Sequence, residues 1–174
     1  PSAKPVSNDL SVQNRFYCVK NSWDPQALAE SVDEADLKDV TAYPFDTAEL
    51  SEKSGWYVRL ETSGEKVVSY PVAYRGMVFF TTYTPADDSE AENPEDPCEG
   101  CNKLGKARLY ILNYKTGEPV LNLSTKGLNS NNEETDNPAE IKKLCKADRV
   151  LEIGEGIPGS PSLIFPKNGG SKIM

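Results

Sequence analysis

Apolar and aromatic runs separated by polar residues are densest between residues 55 and 117, and this stretch predicts a series of β-strands. Its runs are rich in β-branched and aromatic residues and are interrupted by glycine and proline, which is typical of strands joined by turns. In the first run, Trp56 and Val58 would face one side of a sheet, and Tyr57 and Arg59 the other. The runs are GWYVRL (55–60), EKVVSY (65–70), VAY (72–74), MVFFTTY (77–83) and RLYILN (108–113).

The spacing of these runs predicts three hairpins. A turn at residues 62–64 would join GWYVRL to EKVVSY in a hairpin-like pair. A tight turn at residues 75–76 would join VAY to MVFFTTY. After RLYILN, a turn at residues 115–117 would lead into PVLNLS (119–124) as the partner strand.

The flanking segments predict an arm, a strand and two insertions. Residues 1–14 show little periodicity and are expected to form an extended arm, whereas RFYCVKN (15–21) predicts a short strand. Residues 22–54 and 84–105 are acidic and are expected to be insertions, the first with short helical turns that begin at Asp, Ser or Thr caps. Residues 138–149 predict a short helix or an irregular segment, and strand segments broken by glycine and proline follow.

Composition narrows the class of protein. The 174 residues include 37% hydrophobic residues, 13 Pro and 12 Gly, which fits one turn-rich domain or part of a larger one. The net charge of −8 makes nucleic acid an unfavourable partner, because an acidic surface repels phosphates. No apolar run is long enough to predict a membrane span.

The sequence also argues against an enzyme. It contains no His, which removes the commonest general base and the commonest transition-metal ligand. It has no Gly-x-Ser-x-Gly motif, and spacing identifies no clustered carboxylate pair. We therefore expect a protein without catalytic residues and without a resident cofactor.

Four cysteines, Cys18, Cys98, Cys101 and Cys145, predict two disulfides in an oxidising compartment. Cys98 and Cys101 enclose a Glu-Gly pair, and glycine permits the tight turn that a short disulfide ring requires. Four cysteines allow three connectivities. We favour Cys98 with Cys101, which leaves Cys18 with Cys145 by elimination. The alternatives are a zinc site and a redox-active Cys-x-x-Cys, although the βαβ context of a redox motif is missing.

Calcium is a further alternative. The segment PADDSEAENPEDPCEGC (85–101) carries seven acidic residues and no basic one, and Ca²⁺ prefers oxygen ligands. However, the segment lacks the D-x-[DN]-x-[DN]-G spacing of a compact calcium loop. A solvated acidic loop is therefore the simpler interpretation.

Taken together, these motifs resemble the C-terminal β-propeller of the PilC/PilY family of type IV pilus proteins. The motifs that carry the resemblance are GWYVRL, GEKVVSYPVAYRGMVFFTTYTP, DPCEGC and RLYILNYKTGEP, then ADR (147–149) and IGEGIPGSPSLI (153–164). The resemblance covers residues 15–174, with insertions at 22–54 and 84–105. It implies a mainly β fold in which antiparallel sheets form the blades of a partial β-propeller, with short helices in the insertions.

The resemblance also implies a function. Family members are secreted, support pilus biogenesis, sit at the pilus tip and mediate surface adhesion, so we expect this chain at the cell surface or outside the cell, reached through the periplasm. The expected partners are pilin or other pilus proteins. At this length the sequence would supply only the last two to four blades, so a second chain would carry the rest of the propeller.

Two origins for such a chain stay open, namely a cleavage product and a separately encoded part. The alternative function is that of a secreted scaffold, or a filament-associated subunit, which completes a β-structure with another chain. This scaffold would use its acidic loops to bind a partner or calcium.

Overall fold

The computed structural model describes residues 12–20, 31–86 and 104–164, together with the backbone of residues 172–173. Its strands are β1 (Arg15–Val19), β2 (Leu37–Asp39), β3 (Gly55–Arg59), β4 (Lys66–Val67), β5 (Val72–Tyr74), β6 (Met77–Thr84), β7 (Lys106–Asn113), β8 (Gly127–Leu128), β9 (Glu134–Thr135), β10 (Val150–Glu155), β11 (Leu163–Ile164) and β12 (Lys172–Ile173). Short 3₁₀ helices lie at Glu34–Asp36, Ala48–Ser51 and Lys146–Arg149. The described part of the chain is therefore mainly β, as the sequence predicted. In this part, no helix has the length and apolar character needed to cross a membrane.

The strands form two main sheets. The three-stranded sheet has the order β1-β3-β2, with β1 antiparallel and β2 parallel to β3. The five-stranded sheet has the order β10-β7-β6-β4, with β5 also paired to β6, and every pairing in it is antiparallel. β8 with β9 and β11 with β12 form two-stranded ribbons. Antiparallel pairing thus dominates, and within the described residues the sheets do not close into a barrel or a propeller.

The hydrophobic core lies between the two main sheets. On β3, Trp56 and Val58 are 1% and 4% exposed and belong to this core, which confirms the predicted face. Phe80 on β6 and Tyr110 on β7 are register partners, and their ring centroids are 4.9 Å apart. The ring of Phe16 on β1 stacks on Phe80 at 3.9 Å. Aromatic contacts therefore join one sheet to the other, and each such pair is typically worth about 0.5–1.5 kcal/mol beyond its buried area.

The turn between β5 and β6 confirms the tight turn that the sequence predicted. Arg75 and Gly76 have φ values of 48° and 84°, and a two-residue type I′ hairpin turn requires positive φ at both positions. Gly76 adopts this conformation without steric cost, whereas a residue with a Cβ pays roughly 1–2 kcal/mol. The register then places Tyr74 opposite Met77, as expected for this hairpin.

The predicted pairing of GWYVRL with EKVVSY is wrong. β3 is the central strand of the three-stranded sheet, and both of its edges are occupied, by β1 and β2. A strand has only two hydrogen-bonding edges, and β4 pairs instead with β6, where Lys66 lies opposite Tyr83. The chain crosses from one sheet to the other between β3 and β4.

The predicted pairing of RLYILN with PVLNLS is wrong beyond one bridge. Leu112 and Pro119 form an isolated β-bridge. Pro119 has no N–H with which to continue a ladder. Farther along, the backbone N–H groups of Leu123 and Ser124 donate to Asp148 Oδ1 at 3.0 and 2.8 Å instead of pairing with β7. β10 occupies the edge of β7 that this segment would have taken.

The first predicted insertion contributes to the core as well as to the surface. Its two 3₁₀ helices match the predicted short turns, but β2 also lies here. Val40 and Leu50 are 0% and 6% exposed and belong to the same cluster as Trp56. The pattern missed them because single apolar residues among acidic ones show no period. Residues 1–11 of the arm, 21–30 of this insertion and 87–103 of the second insertion lie outside the described residues.

Candidate functional site

One edge of the five-stranded sheet exposes apolar side chains. Among the described strands, β10 pairs only with β7, and no described strand covers its other edge. Leu151 and Ile153 on β10 are 41% and 46% exposed, and Ile157 just beyond the strand is 75% exposed. We call Leu151, Ile153 and Ile157 the β10 surface. Open strand edges and grouped apolar side chains are features of protein–protein contact sites.

The local sequence explains why the β10 surface is exposed. The pairing of β10 with β7 shifts register between Glu152 and Gly154, which is a β-bulge at Ile153. Bulges bend an edge strand and re-aim a side chain. Glu152 forms an ion pair with Lys106 at 3.4 Å, so charged side chains accompany the apolar ones. Apolar residues with a polar rim are the usual anatomy of an interface.

A buried carboxylate forms the centre of a polar network within the five-stranded sheet. Glu65 is 1% exposed and lies just before β4. Its Oε1 accepts hydrogen bonds from Thr82 Oγ1 at 2.5 Å and from the Tyr110 hydroxyl at 3.2 Å. Arg108 Nη1 lies 3.5 Å from Oε2 and also donates to Thr84 Oγ1 at 2.8 Å. We call these five residues the Glu65 centre.

The Glu65 centre is buried, and each carboxylate oxygen has a protein partner. Burial first, and then the charge of Glu65, raise the pKa of Tyr110 far above its ordinary value, so the phenol keeps its proton and donates a hydrogen bond to the carboxylate. Both carboxylate oxygens have protein partners, and a general base would need an oxygen that substrate can reach. The arrangement therefore joins the chain before β4 to β6 and β7.

A second buried carboxylate organises the loop before β10. Asp148 is 0% exposed. Its Oδ1 accepts hydrogen bonds from Leu123 N at 3.0 Å, Ser124 N at 2.8 Å and Ser124 Oγ at 2.9 Å, and its Oδ2 accepts one from Cys145 N at 2.8 Å. Burial acts to raise the pKa of Asp148, but the hydrogen bonds from Cys145 and Ser124 outweigh it, so the pKa lies below its ordinary value of 3.8.

Its neighbour Arg149 connects this loop to the three-stranded sheet. Arg149 is 3% exposed, and its Nη1 donates to the carbonyls of Val40 at 2.6 Å and Thr41 at 3.2 Å, just after β2. The guanidinium carbon lies 5.0 Å from the ring centroid of Tyr43 and 5.6 Å from that of Phe45. Burial lowers the pKa of Arg149 to about 10, so the side chain is still cationic at neutral pH.

Arg149 has no acidic partner among the described residues. Its Nε and Nη2 atoms are buried without a hydrogen-bond partner. Its direct contacts are two carbonyls and two aromatic faces, and the more distant carboxylates of Glu61 and Glu118 also favour its charged form. We call Asp148 and Arg149 with these contacts the Asp148–Arg149 centre.

The structure does not contain the proposed disulfide between Cys18 and Cys145. Both are free thiols with different neighbours: the Cys18 thiol donates to the Tyr114 carbonyl at 3.2 Å, and Cys145 Sγ lies 3.6 Å from Ser124 Oγ. Burial raises the pKa of Cys18, which makes this thiol less reactive. Cys98 and Cys101 lie outside the described residues, so their pairing stays a prediction.

The metal sites considered from the sequence also stay predictions. Among the described residues, no group of three or more Cys, Asp or Glu side chains could hold a metal ion. However, the acidic run at residues 87–99 lies outside this part of the chain.

Sequence reasoning missed both buried charged centres. Glu65 and Tyr110 are 45 residues apart, and Arg149 and Val40 are 109 apart, so no local spacing could have joined them. The signal closest to them is ADR (147–149), which carries part of the family resemblance and contains Asp148 and Arg149. Nothing in that motif distinguishes a buried charge from a solvated one.

Comparisons with known proteins identify no relative of this chain. A scan against protein-family models found no match, and searches of curated proteins and of solved structures found no significant one.

Proposed function

We propose that this chain is a non-enzymatic component of a type IV pilus apparatus, which acts in pilus biogenesis or in adhesion through protein–protein contacts. Its sheets would be blades of a β-propeller that another chain completes. The observation that carries this proposal is the β10 surface, where three exposed apolar residues lie within residues 151–157, on and just after an edge strand.

Two further features support the proposal. The main sheets pack face to face through Phe16 and Phe80, which is how neighbouring blades bury their apolar faces. β10 also lies at the edge of its sheet among the described strands, and an edge strand can pair with a strand of another chain. The resemblance to the PilC/PilY family supplies the pilus context, with pilin or other pilus proteins as partners and the cell surface as the site of action.

The parallel β2–β3 pair is the feature that fits a blade least well, since propeller blades are antiparallel. β2 belongs to the first insertion, and an added strand at the outer edge of a blade accounts for it.

Co-sedimentation with pili tests the proposal. Purified wild-type chain would be mixed with pili isolated from cells that lack this protein. We expect it to pellet with them, and we expect the double variant Ile153→Asp, Ile157→Asp to stay in solution. Val32→Asp is the matched control, because Val32 is 45% exposed and Ile153 46%. The proposal is overturned if folded wild-type chain does not pellet, and the β10 surface is the wrong site if the double variant pellets as well as the wild type.

The open edge of β10 also supports the second candidate, a secreted scaffold that completes a β-structure with another chain. In that case the chain would pair with its partner chain but not with pili. If the acidic run at residues 87–99 bound calcium in such a scaffold, adding Ca²⁺ would raise the melting temperature, because a ligand that binds only the folded state stabilises it. An unchanged melting temperature would exclude that role.

A further inference from the structure

A groove of about 440 Å³ opens at the end of the three-stranded sheet. It lies where β1 ends, β3 begins and the chain leaves β7, so residues distant in sequence meet there. Its volume is within the range of roughly 300–1,000 Å³ that ligand-binding pockets occupy. Its lining includes Cys18, Val19, Lys20, Trp56, Tyr114 and Lys115.

The inner wall of the groove is apolar because its polar atoms are already bonded to one another. The Trp56 indole N–H donates to the Tyr114 carbonyl at 3.0 Å, and the Cys18 thiol donates to the same carbonyl at 3.2 Å. Val19 and Tyr114 are 48% and 41% exposed. These residues leave hydrocarbon and aromatic surface for a guest, and an apolar side chain would gain most by covering it.

Two lysines belong to this groove. Lys20 Nζ donates to the carbonyls of Leu50 at 2.6 Å and Lys53 at 2.7 Å, and an ammonium group has a third N–H to offer. Lys115 Nζ lies 5.7 Å from the Tyr114 ring centroid. One lysine follows β1 and the other follows β7, so the two charges come from different sheets.

The charge of the groove is opposite to that of the whole protein. None of the described residues that line the groove is acidic, whereas the chain carries a net charge of −8. In the described part of the chain, neither Lys20 nor Lys115 forms an ion pair with a carboxylate. Other lysines there do form such pairs, namely Lys38, Lys106 and Lys146.

We propose that this groove binds a peptide segment of a partner protein in which an apolar side chain stands between acidic residues. The apolar side chain would cover Val19 and Tyr114, and the flanking carboxylates would meet Lys20 and Lys115. Two separate cations match two carboxylates, whereas a single chain-terminal carboxylate would leave one lysine unused. The proposal does not depend on the pilus function, because it rests on a different surface from β10.

Binding of short labelled peptides tests this proposal. The probe is fluorescein-labelled Glu-Asp-Phe-Glu-Asp, capped at its carboxyl end, and anisotropy reports its affinity for the full chain. The comparison peptides are Gln-Asn-Phe-Gln-Asn, Glu-Asp-Ala-Glu-Asp, and Gln-Asn-Phe with a free carboxyl terminus. We expect the acidic Phe peptide to bind at least about tenfold more tightly than each of the others at low salt, and we expect salt to weaken its binding.

Lys115→Gln is the informative variant, because Lys115 is exposed and its replacement leaves the backbone contacts of Lys20 intact. We expect Lys115→Gln to weaken binding of the acidic Phe peptide about threefold to tenfold. Lys126→Gln, at an exposed lysine outside the groove, should leave the affinity for this peptide unchanged. Bound peptide should also slow alkylation of Cys18, read by peptide-resolved mass spectrometry. The proposal is overturned if no peptide binds, if the uncharged Phe peptide binds equally well, or if Lys115→Gln changes nothing. Preference for the free carboxyl terminus would overturn the assignment to an internal acidic segment.

Discussion

The Glu65 centre and the Asp148–Arg149 centre both bury charge, but different groups stabilise the charge in each. Glu65 meets a cation and two hydroxyls from β6 and β7, so its charge is balanced within one sheet. Asp148 is held mainly by backbone N–H groups, and Arg149 by backbone carbonyls and aromatic rings. The second centre therefore pairs neither charge with an opposite one.

This difference separates two structural roles. Side chains of the Glu65 centre come from strands that are already hydrogen-bonded neighbours, so the centre reinforces a sheet that the ladder defines. Arg149 instead joins the loop before β10 to the carbonyls after β2, which belong to the other sheet. We infer that the Asp148–Arg149 centre sets the position of the two sheets relative to each other, and hence the position of β10.

The largest effect is expected for Asp148→Ala. The change leaves three backbone N–H groups in a buried place without their acceptor, and breaking such a charged network typically costs about 3–5 kcal/mol. The difference in the free energy of unfolding between variant and wild type, determined in urea, measures this loss. Asp136→Ala, at an exposed acid, should change the free energy little. A loss for Asp148→Ala no larger than that for the control would show that the loop is held by other contacts.

A smaller effect is expected for Arg149→Lys. The ammonium keeps the charge but cannot reproduce the planar group that reaches two carbonyls and stacks on Tyr43 and Phe45, so we expect a loss of about 1–3 kcal/mol. Hydrogen exchange should rise in residues 40–45 and in β10 but not in the β5–β6 hairpin. Uniform exchange changes in both sheets would contradict the inter-sheet role.

Glu65→Gln should lower the free energy of unfolding by less, about 1–2 kcal/mol. The amide oxygen can still accept from Thr82 and Tyr110, and only the ion pair with Arg108 at 3.5 Å is lost. Exchange should rise in β6 and β7 alone, which is the opposite of the pattern for Arg149→Lys. Combining Glu65→Gln with Arg149→Lys should give additive losses, and strong coupling between them would show that the two centres are not independent.

The smallest effect concerns acid stability. The pKa of Asp148 is lowered on folding, so near and below its ordinary value of 3.8 the unfolded state binds more protons than the native state. The stability that Asp148 contributes is therefore complete above that value and is lost as the pH falls through the native pKa. Asp148→Asn should show a weaker fall in stability with acid than the wild type does. Asp39, whose pKa is also lowered, is present in both proteins, so its contribution to the acid dependence is the same in both. Equal acid dependence of the two proteins would contradict this account.

The sequence predicted what local pattern controls. Alternation predicted β1 and β3, continuous apolar and aromatic runs predicted β6 and β7, and the Arg75-Gly76 pair predicted the turn of the β5–β6 hairpin. Prediction from the sequence failed where contacting residues are distant in sequence or where strands are short. β2 has three residues and pairs in parallel. The partners of Glu65 lie on strands distant in sequence, and those of Arg149 are set by the packing of two sheets. The β10 surface was also missed, because an exposed apolar strand and a buried one can have the same sequence pattern.

Protection of β10 amides in the presence of pili tests the central claim most directly. Hydrogen–deuterium exchange of the wild-type chain would be compared with and without pili isolated from cells that lack this protein. We predict slower exchange in residues 150–157 when pili are present, because a partner strand or surface then covers the β10 surface. Pilus binding without protection of these residues, or no binding by the folded chain, would contradict the account.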